Sequence, residues 1–333
     1  MKKRVLALLF AVLMAFSLVA CGSKPDGEET GTDYPNQPIR FIVQYAAGGG
    51  VDVTARLVSK YAEKYLGQSI VVENVTGGSG IVGQTELANS ENDGYTIGMI
   101  FANTAVDVKL TDGVTYTLDS FDPVCQVNFD PAFLVARKGS EYDVPLDELL
   151  KMTKENQLTM GIGALWQAFD FVKMTLQADY DAPFTRVAYD GGAGACTSVV
   201  AGDANVAMVL PNEWMSYYQS GDLTGIAVSA PERLDAFPDV PTFAELGYDA
   251  INSFGVRRVI VAPAGTDPQV LAKLEDAFMQ ALADPELVAE FQALGMSVVP
   301  ADAQTAFASL KEEGKILSDL VETFGVKPGD APQ

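Results

Sequence analysis

The sequence contains no histidine and few basic residues for its length. Without histidine the chain cannot form a Ser-His-Asp or Cys-His nucleophile system or a histidine-ligated zinc site, so the expectation of catalysis falls. Only 22 lysine and arginine residues stand against 44 aspartate and glutamate residues, which gives a formal net charge of −22. Because binding to nucleic acids depends mainly on cationic contacts with phosphates, we expect no nucleic-acid partner.

Cysteine is also scarce, and one of the three cysteines follows a pattern typical of export. The chain starts with a short basic segment, and an apolar stretch runs from residue 5 to residue 20. This is the pattern of a secretory signal peptide, and the stretch is shorter than the roughly 20 residues that span a bilayer. Its end resembles the lipobox of bacterial lipoproteins. We therefore predict a signal peptide at residues 1–20, lipidation of Cys21 and a flexible polar tether at residues 21–33.

The other two cysteines, Cys125 and Cys196, are the only pair left for a disulfide. Each lies among apolar residues in the sequence. We therefore predict two buried thiols rather than a bridge.

Apolar residues make up 48% of the 333 residues, which is enough for two packed cores. Short β-rich segments alternate with glycine clusters and with amphipathic segments of helical period. Strands are predicted at residues 39–44, 69–75, 95–101, 158–161, 206–210, 224–229 and 258–262, and helices at about 52–66, after residue 80, and three times after residue 267. The repeated order of strand, glycine loop, helix and strand predicts an α/β fold with mainly parallel sheets.

One motif suggests a nucleotide cofactor but lacks an essential part. Residues 78–83 match the pattern G-x-G-x-x-G between a predicted strand and a predicted helix. A dinucleotide site also needs an acidic residue about 20 positions further on, and residues 98–103 contain none. We therefore predict no cofactor. What remains is a glycine turn whose backbone N–H groups can approach an anion at a helix N-terminus.

Two further glycine loops, residues 45–52 and 190–195, have the same character. Glycine permits positive φ and close approach, and each following helix directs the positive end of its dipole into the loop. Such loops lie at the carboxyl edge of a parallel sheet, where α/β proteins bind ligands. The alternative for the first loop is a tight connection in which Asp52 simply caps the helix. Three such loops without a catalytic base predict binding without chemistry.

Motifs along the whole mature chain resemble those of one receptor family. They are residues 34–39, 46–52, 66–74, 92–96, 189–193, 230–233, 238–242, 245–248 and 262–266. In this order, from about Tyr34 to Gly325, the chain resembles the extracytoplasmic solute-binding receptors of tripartite tricarboxylate transporters, also called the Bug family.

The resemblance implies a two-lobed periplasmic-binding-protein fold, also called a Venus flytrap, in which two α/β lobes close over a small carboxylate. It implies a first lobe at residues 34–128 plus 254–330 and a second lobe at residues 129–253. Carboxylate oxygens would be held largely by backbone N–H groups, hydroxyls and ordered water.

Together, the loops and the resemblance give a set of candidate ligand-binding residues. Those expected in the first lobe are Tyr45, Ala47, Gly48, Gly49, Asp52, Gly78, Ser79, Gly80, Asn103 and Arg258. Those expected in the second lobe are Gly163, Ala164, Leu165, Trp166, Tyr189, Asp190, Gly191 and Glu213.

Residues 161–170 depart from the family pattern, since many members carry serine-rich and histidine-containing residues here. Trp166 could stack on a ligand or close the cleft, or it could belong to the core. Glu213 could accept an ammonium group of a zwitterionic ligand, or it could be a solvated loop acid. Arg257 or Arg258 could bind a carboxylate bidentately, or form a surface or hinge salt bridge.

The resemblance implies a monomeric, lipid-anchored receptor outside the cytoplasm. It would capture a di- or tricarboxylate, an aromatic acid or an acidic amino acid and deliver it to a membrane permease, without a metal or a cofactor. The alternative is an exported enzyme on the same scaffold, for example a hydrolase with Asp190 or Glu213 as its base.

Overall fold

The structure is a computed structural model that describes residues 34–163, 166, 168–189, 191–251 and 254–330. The predicted signal peptide, the lipidation site Cys21 and the tether lie outside the described residues. Tyr34–Gln333 form one compact unit. In the ranges that the structure describes, no helix combines the length and the apolar character needed to cross a membrane.

Two mixed β-sheets form the framework. Their strands are β1 (Ile39–Val43), β2 (Ile70–Asn74), β3 (Thr96–Ile100), β4 (Phe121–Pro131), β5 (Phe133–Arg137), β6 (Thr159–Ile162), β7 (Thr185–Ala188), β8 (Val206–Val209), β9 (Leu223–Val228), β10 (Gly255–Pro263) and β11 (Ala301–Asp302). The first sheet has the order β11-β4-β10-β3-β1-β2, and the second has the order β7-β6-β8-β5-β9. Parallel pairs lie at one side of each sheet, whereas β10 pairs antiparallel with β3 and β4, and β5 pairs antiparallel with β8 and β9.

Helices cover the sheets. They are α1 (Gly50–Leu66), α2 (Ile81–Ala88), α3 (Thr104–Leu110), α4 (Leu146–Glu155), α5 (Ala168–Tyr180), α6 (Gly192–Ala201), α7 (Pro211–Ser220), α8 (Pro268–Leu282), α9 (Pro285–Ala293) and α10 (Ala303–Thr323). In the first sheet's layers, α1 packs on α8, and α10 packs on α3 and β4. On the second sheet, α6 packs on β8 and on α7.

The helices begin and end where local chemistry favours it. α1 buries Ala55, Val58, Ala62 and Leu66, which recur at three- and four-residue intervals, and it ends at Gly67 with φ of 70°. Near the C-terminus, an aspartate caps each of α8, α9 and α10 by accepting a backbone N–H of the first turn. The α/β prediction is therefore confirmed by elements whose local signals agree with the fold. The prediction of mainly parallel sheets is wrong, because the strands on which the chain passes between the sheets run antiparallel to their neighbours.

The sequence failed to predict the strands through which the chain leaves the first sheet. β4 carries buried polar residues, including Gln126, Asn128 and Asp130, and a proline at position 123, so it shows no clear apolar alternation. β5 follows after Ala132 alone, which makes β4 and β5 two nearly continuous strands of different sheets. The predicted lobe boundaries, residues 34–128 plus 254–330 and 129–253, stay a prediction. The described strands of the first sheet lie within 39–131 and 255–302, and those of the second within 133–228.

Hydrogen bonds join the crossing segments at one buried point. Ser229 accepts a hydrogen bond from the backbone N–H of Ala132 at 2.9 Å and donates one to the carbonyl oxygen of Phe254. The N–H of Ser229 in turn donates to the carbonyl oxygen of Ala132 at 2.9 Å. Three separate stretches of chain are thus held together where the polypeptide passes between the sheets.

The two cysteines behave as predicted. Cys125 lies in β4 and Cys196 in α6, and both are buried and unbridged. Burial raises the pKa of both thiols well above the ordinary value, which keeps them protonated and unreactive.

Replacement of Ser229 tests the crossing point. In Ser229→Ala the Phe254 carbonyl oxygen loses a buried donor, so we expect the free energy of unfolding to fall by about 1–2 kcal/mol. Urea denaturation measures it. The matched control is Ser220→Ala, an exposed serine, for which we expect a change within about 0.5 kcal/mol. Equal losses in the two variants would contradict a special role for the crossing point.

Candidate functional site

A cleft of about 890 Å³ lies where loops of the two sheets face each other. The first sheet contributes the loop before α1, the glycine turn before α2, and two residues of β10. The second sheet contributes Gly163, the segment before α6, and the first turns of α7. Of the predicted ligand-binding residues, Tyr45, Ala47, Gly48, Gly49, Ser79, Gly80, Gly163, Tyr189, Gly191, Glu213 and Arg258 line this cleft.

Asp52 holds the first glycine loop in position by hydrogen bonds. Its Oδ2 accepts the backbone N–H of Gly48 at 2.9 Å, and its Oδ1 accepts Nδ2 of Asn74 at 2.9 Å. Arg56 donates to the same carboxylate at 3.0 Å. Burial raises the pKa of Asp52, but Arg56, the Gly48 N–H and Asn74 together hold it below its ordinary value. Asp52 is therefore a charged residue that positions the loop, and it does not line the cleft.

The first turn of α1 points into the cleft without a side-chain cap. Gly49 is the N-cap residue, and no side chain accepts a hydrogen bond there. The helix begins at Gly50, two residues earlier than predicted, and both Gly50 and Val51 line the cleft. First-turn N–H groups have no partner within a helix, and they sit at the positive end of the helix dipole. This terminus can therefore hold an anion.

The second glycine loop is a short 3₁₀ turn, Gly78–Gly80. Ser79 has φ of 57° and Gly80 has φ of 104°, so the turn relies on left-handed backbone conformations. The N–H of Gly80 donates to the carbonyl oxygen of Gly77 at 3.0 Å. Ser79 and Gly80 line the cleft, whereas Gly78, a predicted site residue, lies off it.

The third glycine loop already holds a carboxylate, that of Glu213. The N–H of Gly192, the first residue of α6, donates to Oε1 of Glu213 at 3.2 Å, and the N–H of Leu210 donates to Oε2 at 2.7 Å. A Cβ on Gly192 would come 1.9 Å from Oε2, so any other residue here would displace the Glu213 carboxylate. Burial raises the pKa of Glu213, although the two N–H groups oppose the rise. Glu213 is thus a half-buried capping acid rather than a solvated loop acid.

A buried ion pair fixes the remaining loop of the second wall. Asp170 accepts the N–H of Trp166 at 2.8 Å and Nε of Arg186 at 2.7 Å. Arg186 also donates to the carbonyl oxygen of Gly163 at 2.9 Å. The Trp166 side chain is buried near Phe171 and does not line the cleft, which favours the core interpretation. The predicted site residues Ala164, Leu165 and Asp190 lie outside the described residues.

Strand alternation sends the two candidate arginines to opposite faces of β10. Arg257 faces α10, where its Nε bonds Glu313 at 2.7 Å, its Nη1 bonds Gln126, and its guanidinium lies 5.0 Å from the ring of Phe129. Of the two arginines, Arg257 is therefore the one that forms a structural ion pair. Arg258 faces the cleft and is fully buried.

Arg258 pairs with β4 across the crossing strands. Its Nη1 donates to Asp130 and, at 3.2 Å, to Oδ1 of Asn128. Asn128 donates to the other oxygen of Asp130 at 2.9 Å. Both partners are fully buried.

Comparison with known proteins identifies the family. Residues 54–326 match the family described as Tripartite tricarboxylate transporter family receptor. The chain belongs to this family. Protein BugT of Bordetella pertussis is 28% identical over 324 residues, which cover 96% of this chain and 98% of BugT.

Solved structures of similar proteins agree with the fold. The periplasmic binding protein BugD is 26% identical with a TM-score of 0.79, over 89% of this chain and 100% of BugD. MatC from Rhodopseudomonas palustris, solved with bound malate, is 24% identical with a TM-score of 0.77, over 86% of this chain and 100% of MatC. The predicted two-lobed periplasmic-binding-protein fold is thereby confirmed, and this receptor's relatives are binding proteins of transport systems.

The sequence missed several residues that the receptor's cleft contains. They are Gln44, Phe101, Phe169, Leu210, Asn212, Ser216, Tyr217 and Val256. Asn212 and Tyr217 follow β8, so the rule that ligands lie beyond strand ends could have included them. Phe169 and Val256 carry no such signal, because apolar residues at a cleft and in a core look alike in a sequence.

Asn103 lies away from the cleft, in a smaller cavity of about 240 Å³ beside α10. It belongs to a buried polar network around Asp107. Asp107 accepts the hydroxyl of Tyr116 at 2.9 Å and, at 3.4 Å, Nε2 of Gln84. Burial raises the pKa of Asp107 to about 6, although these hydrogen bonds oppose the rise.

This network predicts a pH dependence of stability. The pKa of Asp107 is higher in the folded chain than the ordinary 3.8, so its protonated form stabilises the fold. That contribution is present below pH 4 and is lost as the pH rises through 6. The Asp107→Asn variant does not titrate here. We therefore expect the stability of the variant relative to the native chain to increase by about 2 kcal/mol between pH 4 and pH 7.

Urea denaturation at several pH values measures this difference. In the Asp302→Asn variant an exposed acid is removed whose pKa is held below its ordinary value by the Thr305 N–H and hydroxyl, so its titration lies below pH 4 and its relative stability should stay nearly constant between pH 4 and pH 7. A constant difference between Asp107→Asn and the native chain across this range would contradict the assignment.

Proposed function

We propose that this receptor binds a small carboxylate in the cleft between its two sheets and delivers it to the permease of a tripartite tricarboxylate transporter. The observation that carries the proposal is the uncapped N-terminus of α1, whose residues Gly50 and Val51 line the cleft. Backbone N–H groups at the positive end of a 17-residue helix favour an anion.

The mechanism is a shift between open and closed arrangements of the two lobes, here taken as residues 34–128 plus 254–330 and residues 129–253. Contacts that a ligand makes with both walls exist only when the walls are close. These contacts therefore supply the free energy that favours the closed arrangement. The hydrogen-bonded crossing point at Ser229, where three stretches of chain meet between the sheets, supports a hinge at this place.

The acidic surface does not oppose this ligand class. The formal charge of −22 gives no long-range attraction for an anion, but helix termini and glycine turns act over a few ångströms. The candidate ligands are di- and tricarboxylates, aromatic acids and acidic amino acids. Binding without catalysis suits a chain that lacks histidine and belongs to a family of transport receptors.

We further propose that the receptor works as a monomer outside the cytoplasm, anchored by a lipid on Cys21. The basic start, the apolar stretch and the cysteine in the first 21 residues support this proposal. Mass spectrometry of the protein from membranes, with Cys21→Ser as control, detects the lipid.

A thermal-shift panel tests the ligand class. The panel contains succinate, malate, citrate, aspartate, glutamate and benzoate, with succinamide and benzamide as uncharged controls. An acid at 100 times its Kd adds about 2.7 kcal/mol to the free energy of unfolding, so we expect at least one acid to raise the Tm by several degrees. If no acid raises the Tm more than the amides do, the proposal fails.

The Gly49→Val variant tests the place of binding. Gly49 has extended backbone geometry that valine can adopt, and a Cβ there meets only the carbonyl oxygen of Ala46, at 3.3 Å. The added side chain enters the cleft at the α1 terminus. We expect the Tm without acid to change little and the rise with acid to be lost. An unchanged rise would exclude this terminus as the anion site.

A further inference from the structure

Arg258 has two nitrogen atoms that nothing in the described part of the chain satisfies. Its Nη1 bonds Asp130 and Asn128, but its Nε and Nη2 are buried and have no hydrogen-bond partner there. A buried donor without a partner costs free energy, and a guanidinium is always charged. In native proteins an ordered water, an ion or a ligand usually pairs with such a donor.

The two open nitrogens form one edge of the guanidinium. Nε–H and Nη2–H point in parallel, and this side-on edge matches the two oxygens of a carboxylate. In Arg257, the neighbour on β10, both nitrogens of that edge contact one carboxylate oxygen, Oε1 of Glu313, at 2.7 Å each. On the same strand, this edge of Arg257 is therefore paired with a carboxylate, whereas the same edge of Arg258 has no partner among the described residues.

The open edge lies at the start of α1. Nη2 of Arg258 is 2.9 Å from the position that a Cβ on Gly50 would take, and Oδ1 of Asn212 is 3.2 Å from it. The uncapped helix terminus and the guanidinium edge thus converge on one end of the cleft. Because Gly50 has no side chain, Nη2 of Arg258 and the Asn212 amide can pack directly against the backbone at the start of α1.

We propose that Nε and Nη2 of Arg258 bind one carboxylate of the ligand side-on, at the N-terminus of α1. The proposal rests on the proposed function and specifies it. The receptor therefore selects ligands that place a carboxylate against Arg258. A ligand with an amide or an alcohol at that position binds less tightly, because it leaves the guanidinium edge incompletely paired.

The neighbouring charges limit what this subsite accepts. Two carboxylates face Arg258: Asp130 is bonded to it, and Glu213 interacts electrostatically with both Arg258 and Asp130. Both carboxylates repel an incoming anion, and the repulsion is greater for a dianionic phosphate than for a singly charged carboxylate. The subsite therefore favours carboxylic acids over phosphorylated compounds.

Isothermal titration calorimetry tests the proposal with the acid of the panel above that raises the Tm most. Arg258→Lys keeps a cation beside Asp130 but removes the two-nitrogen edge. We expect it to weaken the binding of that acid by about 10- to 100-fold. The matched control, Arg257→Lys, changes the neighbouring arginine that faces α10, and its affinity should stay within about twofold of the native value.

A second variant covers the case in which Arg258→Lys fails to fold. Gly50→Ala keeps the Arg258–Asp130 pair and places a methyl group against Nη2. We expect a similar loss of affinity with a folded apo protein by circular dichroism.

The outcomes separate the two proposals. If acids bind and neither Arg258→Lys nor Gly50→Ala weakens them more than Arg257→Lys does, the subsite is wrong while the proposed function stands. Binding of inorganic phosphate at the same affinity as the acid would also overturn the subsite. If no acid in the panel binds the native receptor, both proposals fall.

Discussion

A guanidinium and a carboxylate, both fully buried, hold together the strands on which the chain passes between its two sheets. Taking two charges out of water costs several kcal/mol per ion, and the loss is offset only by close pairing and further hydrogen bonds. Asp130 has both, from Arg258 and from Asn128. Arg258 has them on one side only. The pair thus fixes β4 against β10 and leaves a charged edge at the floor of the cleft.

The three glycine loops around the floor of the cleft are all rich in glycine, but they differ in what accepts hydrogen bonds from their backbone N–H groups. At α1 the helix terminus is open and lines the cleft. At α2 the N–H of Gly80 is satisfied within its own turn. At α6 the carboxylate of Glu213 occupies the terminus. Of these three termini, that of α1 can therefore bind a carboxylate from outside the protein. The hydrogen bond from α6 to Glu213 shows that a helix terminus of this molecule can bind a carboxylate. This arrangement suits a receptor that binds and releases an acid.

Much of the fold could be predicted because local signals agree with it. Apolar runs gave most strands, aspartates marked helix starts, and glycines marked the loops at strand ends. β4 could not be predicted, since its buried polar residues form contacts with residues distant in sequence. β5 was missed although it is a short apolar run, because it follows β4 after a single residue. The same limit applied to the site. The sequence placed Arg258 among the candidate ligand-binding residues but left Arg257 open as an alternative. Only the alternation of β10 separates the arginine that bonds Glu313 from the one that faces the cleft. Asn103 and Trp166 belong to buried surroundings that no local pattern reveals.

A crystal structure of the receptor grown with its most stabilising acid tests the central claim most directly. The account predicts that one carboxylate of the acid lies within hydrogen-bond distance of Nε and Nη2 of Arg258 and of the backbone N–H groups of Gly50 or Val51. Density for the acid elsewhere, for example in the smaller cavity beside Asn103, with Arg258 contacting only Asp130 and Asn128, would contradict it.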